Sequence, residues 1–107
     1  MDAKESQLQA KILKYLDGLR GCKAIKVISA NERGIPDLHV CYKGRYIAFE
    51  IKSPVGKVSK IQALQLTKYL QAGAQTAVIR NMEQVKKIIL SMNGEALEAK
   101  RPGKVSK

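Results

Sequence analysis

A chain of 107 residues matches the size of one domain, which buries roughly two-thirds of the surface its unfolded chain exposes. Its 20 Lys and Arg against 9 Asp and Glu give a formal charge of +11, which points to a polyanionic partner. Two cysteines without CxxC or His-rich spacing exclude a zinc site, and no apolar run approaches the roughly 20 residues of a membrane span or a signal-peptide core.

From about residue 3 to 19, Leu8, Ile12, Leu16 and Leu19 recur at helical spacing, with Gln9, Lys11, Lys14 and Asp17 on other faces. A helix ending near Gly18 or Gly21 is expected. Ile25, Val27 and Ile28 make Lys23 to Ser29 a short strand, and Ala30 to Pro36 a loop. Asp37 to Tyr42 and Arg45 to Lys52 flank Lys43-Gly44 as the arms of a hairpin. Pro54 and Gly56 break the chain over Ser53 to Val58. A second helix follows over Ser59 to Gln71, with Ser59 near its N-cap and Ile61, Leu64, Leu66 and Leu70 as its apolar set.

Gln75 to Arg80 suits a buried strand, and residues 82 to 93 carry Val85, Ile88, Ile89 and Met92 for a third helix. The order αβββαβα is a mixed α/β domain, a sheet flanked by helices, expected over residues 1–94. Residues 95–107, with four basic residues after Ala99, are expected to form a mobile basic tail. Cys22 and Cys41 read as reduced thiols, and the protein is expected in the cytoplasm.

A two-residue turn at Lys43-Gly44 pairs 42 with 45 and each residue outward with its mirror, so Asp37 lies opposite Glu50. Directly opposed residues share a sheet face with Cβ atoms about 4.5 to 5.5 Å apart. Strand alternation adds Lys52 to that face and puts Leu38, Val40, Tyr42, Ile47, Phe49 and Ile51 on the other. Two opposed carboxylates strain each other's ionisation unless a cation joins them, and Mg²⁺ or Mn²⁺ suits such hard oxygen ligands. The plainer reading is that Lys52 neutralises Glu50 on a solvated face.

Gly34-Ile35-Pro36-Asp37-Leu38 followed by Phe49-Glu50-Ile51-Lys52 resembles the PD-(D/E)xK nuclease signature. The resemblance extends to the VRR-NUC branch, in which Glu-x-Lys is followed by a Ser and then a Gln opening the next helix, as Ser59 and Gln62 do here. It covers roughly residues 5 to 80 and implies a restriction-endonuclease-like sheet and a divalent-metal-dependent nuclease. That branch also carries a Glu on its first helix, for which Glu5 is the candidate. Asp2-x-x-Glu5 equally suits a helix cap, and both readings stand. Gln62 has a plain alternative too, as an exposed residue in a first helical turn.

In such a site Asp37, Glu50 and the carbonyl of Ile51 hold the metal, and Lys52 orients or deprotonates water or stabilises charge. Arg33, Lys57, Ser59 and Lys60 flank it and are expected along the nucleic-acid backbone. His39 is expected to be a bystander, and the tyrosines to be packing residues without a base-stacking pair. Stand-alone members of the branch imply a phage-type homodimer acting on branched DNA, four-way Holliday junctions included. The rivals are another nuclease of the same fold, flap-cutting, restriction-like or RNA-directed, and a non-catalytic nucleic-acid-binding module.

Overall fold

The computed structural model describes residues 2–99, with side chains as far as Asn93. Asp2 caps the first helix, α1 (Ala3–Asp17), by accepting the Glu5 N–H at 2.8 Å, and Gly18 ends it. The buried stripe of α1 is Glu5, Gln9, Ile12 and Leu16. Gln9 therefore belongs inside, contrary to the sequence expectation, because it stands one turn after Glu5 and three residues before Ile12.

Four strands follow the order β1 (Cys22–Lys26), β2 (Leu38–Tyr42), β3 (Arg45–Ile51) and β4 (Gln75–Ile79) across one sheet. The first three are antiparallel and β3 pairs with β4 in parallel, the crossover being carried by α2 (Lys60–Gln71). Tyr42 opposes Arg45 and Leu38 opposes Phe49, the register that a two-residue turn requires. Lys43 and Gly44 turn the chain with φ of 49° and 82°, the doubly positive turn that matches strand twist.

On one sheet face Leu38, Val40, Tyr42, Ile47, Phe49 and Ile51 meet Ile12 and Leu16 of α1 and Val85, Ile89 and Met92 of α3 (Met82–Ala99). That face is the apolar core. The hairpin is tied to α3 where Tyr42 Oη donates to Asn93 Oδ1 at 2.5 Å. No helix of the described residues is long and apolar enough to cross a membrane.

Two boundaries differ from expectation by three residues or more. β1 stops at Lys26, because beyond the Val27 N–H bond to the Asp37 carbonyl at 2.8 Å the chain leaves the sheet. α3 runs to Ala99 rather than to 93, as the Glu, Ala and Leu after Gly94 favour helix. Of the expected basic tail, residues 100–107 lie outside the described residues. α2 differs in which side it buries: Ile61, Leu64 and Leu70 are exposed, and the arc with Gln62, Gln65, Leu66 and Tyr69 is the covered one. It lies over the sheet's other face, where small Ala48 and polar groups replace an oily core.

Candidate active site

Asp37 directly precedes β2, one step beyond the Leu38–Phe49 pair and so opposite Glu50. Asp37 Oδ2 accepts the Ile51 N–H at 2.8 Å, which holds the carboxylate against β3. Glu50 is 2% exposed, and its Oε1 is buried with no hydrogen-bond partner. Lys52 Nζ lies 3.8 Å from Glu50 Oε2, on the same face, as strand alternation requires.

Burial pushes the Glu50 carboxyl up to about 8, with the facing Asp37 carboxylate adding to the rise and Lys52 opposing it. Asp37 is also raised, first by burial; its bond from Ile51 N–H, a hydrogen bond with Glu50 and the charge of Lys52 pull the other way. Glu5 raises both. Two carboxyls of raised pKa, Glu50 buried and Asp37 half-buried, therefore face each other, an arrangement that a cation would relieve. The orphaned Glu50 Oε1 and the hard oxygen donors fit a divalent ion. Among the described residues no cluster of three or more His, Cys, Asp and Glu side chains has metal-holding geometry; the expected ligand set has two carboxylates and the Ile51 carbonyl.

Glu5 combines both of its readings. Its backbone N–H completes the Asp2 cap, while its buried carboxylate crosses to the end of β3 and accepts the Ser53 N–H at 3.2 Å. A Cβ at Gly56 would stand 3.0 Å from Glu5 Oε2 and 3.1 Å from Ser53 Oγ, so glycine there lets the loop close on that carboxylate without displacing it. Arg80, overlooked in the sequence, clamps the same loop by donating to the carbonyls of Ser53 and Gly56, each at 2.7 Å. Its position, just past a strand adjoining Glu50-x-Lys52, is the signal that could have singled it out.

Ser59 and Gln62 form a reciprocal capping box at the start of α2, with Ser59 N–H to Gln62 Oε1 at 2.9 Å and Gln62 N–H to Ser59 Oγ at 3.2 Å. Gln62 is thus seen in a cap rather than in contact with the carboxylates, although it faces the sheet. Gly34, at φ +75°, lets its loop abut α2: a Cβ there would meet Ile61 Cγ1 at 2.9 Å and its backbone at 3.0 Å. Gln65 secures that loop through Glu32 Oε1 and the Arg33 carbonyl, both at 3.0 Å. The side chains of Arg33 on the loop before β2, of Lys57 and Ser59 on the loop after β3, and of Lys60 at the start of α2 are exposed.

His39 does not join the carboxylates. Its Nδ1 is 2.5 Å from Tyr46 Oη, and its ring meets Tyr46 and Tyr69 edge-on with centroids 5.6 and 5.4 Å apart. Tyr46 and Tyr69 are also stacked, at 6.3 Å. The three rings pack on one another, Tyr46 and Tyr69 as packing residues; strand and helix spacing could not show that α2 lands beside the hairpin and brings them together. Desolvation lowers the His39 pKa, with the Pro36 carbonyl opposing.

The helix-flanked mixed sheet in the order αβββαβα is the fold of solved VRR_NUC nuclease domains. A solved VRR_NUC domain is 26% identical and superposes with a TM-score of 0.71 over 82% of this chain and 96% of that one. A second VRR_NUC domain protein shares the fold at 12% identity, with a TM-score of 0.67 over 85% and 88% of the two chains. Hjc of Archaeoglobus fulgidus, a Holliday junction resolvase, is 24% identical with a TM-score of 0.56 over 71% of this chain and 67% of that one. No known family profile and no curated protein sequence matches the chain.

Proposed function

We propose that the protein is a DNA endonuclease dependent on Mg²⁺ or Mn²⁺, hydrolysing phosphodiesters in branched DNA, four-way junctions in particular. The observation that carries this reading is the facing pair of half-buried Asp37 and buried Glu50, with Glu50 Oε1 unpartnered and Lys52 Nζ 3.8 Å from Oε2. In this reading Asp37, Glu50 and the Ile51 carbonyl hold the metal, with Glu5 alongside. A divalent ion bound there acidifies water and screens phosphate charge. Lys52 supports the charge that develops on the phosphate or accepts the water's proton. Gln62, with Oε1 taken up by the cap, keeps its amide N–H groups for phosphate or water. Ser59, Lys57, Lys60 and Arg33 position the DNA backbone.

Four-way junctions enter from the likeness to the archaeal resolvase, and the DNA partner from the charge of +11. A binding module without catalysis would have no use for two acids held face to face. Cleavage of labelled linear, flapped and four-way-junction DNA with Mg²⁺, Mn²⁺ or EDTA tests substrate and metal together. Asp37→Asn and Glu50→Gln are expected to abolish cutting with DNA binding retained or tightened, and to abolish Mn²⁺ binding measured by calorimetry. Wild-type cleavage by either variant would refute the metal site.

One chain supplies one such centre, whereas resolving a junction takes two paired incisions, so the working form in this proposal is a two-fold homodimer. Light scattering is expected to give about twice the 11.8 kDa chain mass, and junction cuts to fall at symmetry-related positions. A monomer cutting flaps, linear duplex and junctions alike would contradict both dimer and junction preference.

A further inference from the structure

Ile28 is 89% exposed and Val55 87%; no other large hydrophobic side chain among the described residues passes 69%. A single exposed aliphatic residue calls for no explanation. Here, however, the two most exposed ones stand on the two loops that border the same carboxylates, and backbone that the site itself uses holds both.

Ile28 follows Val27, whose N–H donates to the Asp37 carbonyl at 2.8 Å. Val55 sits between Ser53 and Gly56, whose carbonyls Arg80 clamps and whose Ser53 N–H carries Glu5. One tip is thereby tied to the Asp37 side of the site and the other to the Glu5 side. Exposed cations accompany them: Lys26 and Arg33 near the first, Lys57 and Lys60 near the second. Beside Ile28 a cavity of about 510 Å³ opens between the end of β1, the loop after it and α2, with Ile25, Ile35, His39 and Tyr69 in its walls.

Cations flanking a nuclease site follow phosphates, which are present in any DNA. Apolar tips have no such use. In continuous duplex the base faces cover one another and only edges and backbone are presented. An aliphatic side chain gains by burial only where a step is opened, as apolar wedges do when they enter between bases.

We propose that Ile28 and Val55 are specificity-determining contacts that pack on unstacked bases either side of the scissile phosphate, with the cavity beside Ile28 receiving a displaced base. The protein then favours DNA that is unpaired or easily unstacked at the cut. This rests on the DNA-nuclease reading above. It commits to nucleic acid rather than a protein partner because cations border both tips.

The test uses the full chain and a four-way junction carrying 2-aminopurine next to the mapped cut. In an Asp37→Asn background, binding is expected to raise the probe's fluorescence, and adding Ile28→Ser and Val55→Ser to remove that rise. With Asp37 intact, the two serines are expected to slow junction cutting about tenfold, through lost aliphatic burial, and to leave the residual cutting of continuous linear duplex, in which no step is opened, unchanged. Both residues are surface-exposed, so melting should be unaltered. A fluorescence rise or junction preference that survives the double substitution overturns the proposal and leaves the nuclease reading intact. A drop in oligomeric mass with fluorescence unchanged overturns it in favour of a protein contact. A wild-type chain that neither binds nor cuts DNA removes both readings.

Discussion

Glu50 is the residue on which the chemistry and the stability of this fold meet. Its carboxyl, ordinarily near 4.5, is raised to about 8 in the folded chain, so between those values the folded protein keeps a proton that the unfolded chain has released. Stability must then fall as pH rises through that window. Asp37, also raised, acts in the same sense. His39 acts in the opposite one: its pKa is lowered from 6.5, so its contribution is lost as pH drops below that value. Above pH 6.5 the carboxyl pair should therefore govern. In EDTA the melting temperature is expected to decline from pH 6.5 to about 8, Glu50→Gln to flatten the decline, and Mn²⁺ to stabilise most at the alkaline end, where less proton must be displaced. A wild-type melting curve insensitive to pH over that range would mean Glu50 is ionised without metal. The pair itself was legible in the sequence, because a two-residue turn fixes register and register fixes which acids face each other. Gln9 and Arg80 were not: a glutamine carries no apolar signal, and a clamp on loop carbonyls depends on where a distant loop comes to lie.

At the scale of the elements, the site is an assembly of ends: the start of α1, the loop before β2, the close of β3 and the start of α2. Gly34 brings the loop before β2 onto α2, and Gly56 brings the loop after β3 onto Glu5. At Gly56 the nearest obstacle to a methyl group is the tip of a flexible side chain, so Gly56→Ala should displace the Glu5 carboxylate rather than unfold the loop. The carboxylate need give only slightly, so cleavage is expected to slow by up to roughly tenfold, while the thermal midpoint hardly moves. Loss of stability at undiminished kcat would make Glu5 a cap and nothing more. Element types and order were readable from periodicity, yet the buried arc of α2 was not. Its leucines and isoleucine suggested an oily contact, but it lies on the sheet's polar face, where Gln65 is buried and Leu64 and Leu70 are exposed. Periodicity shows that a helix has an apolar side; the surface it meets decides which side is used.

For the molecule as a whole the controlling quantity is the charge of +11, and in the reading proposed above its distribution decides how DNA is held. Each phosphate neutralised by Lys or Arg releases counterions, so log K should fall linearly with log salt at about 0.9 per contact on duplex DNA. Arg33 and Lys57 are exposed on the loops before β2 and after β3, and Lys60 at the start of α2, so all three belong to the path of the scissile strand in the reading proposed above. Changing the three to Ala should therefore lower the slope by about 2 to 3 and weaken binding similarly for every DNA sequence. Residues 100–107 also carry four basic side chains, and deleting them is expected to lower the slope by less than the triple substitution. The comparison decides between two pictures of the same net charge. If the triple variant leaves the slope unaltered and the deletion removes most of it, DNA is held by the chain end instead of the active-site rim, and the path drawn through Arg33, Lys57 and Lys60 is wrong.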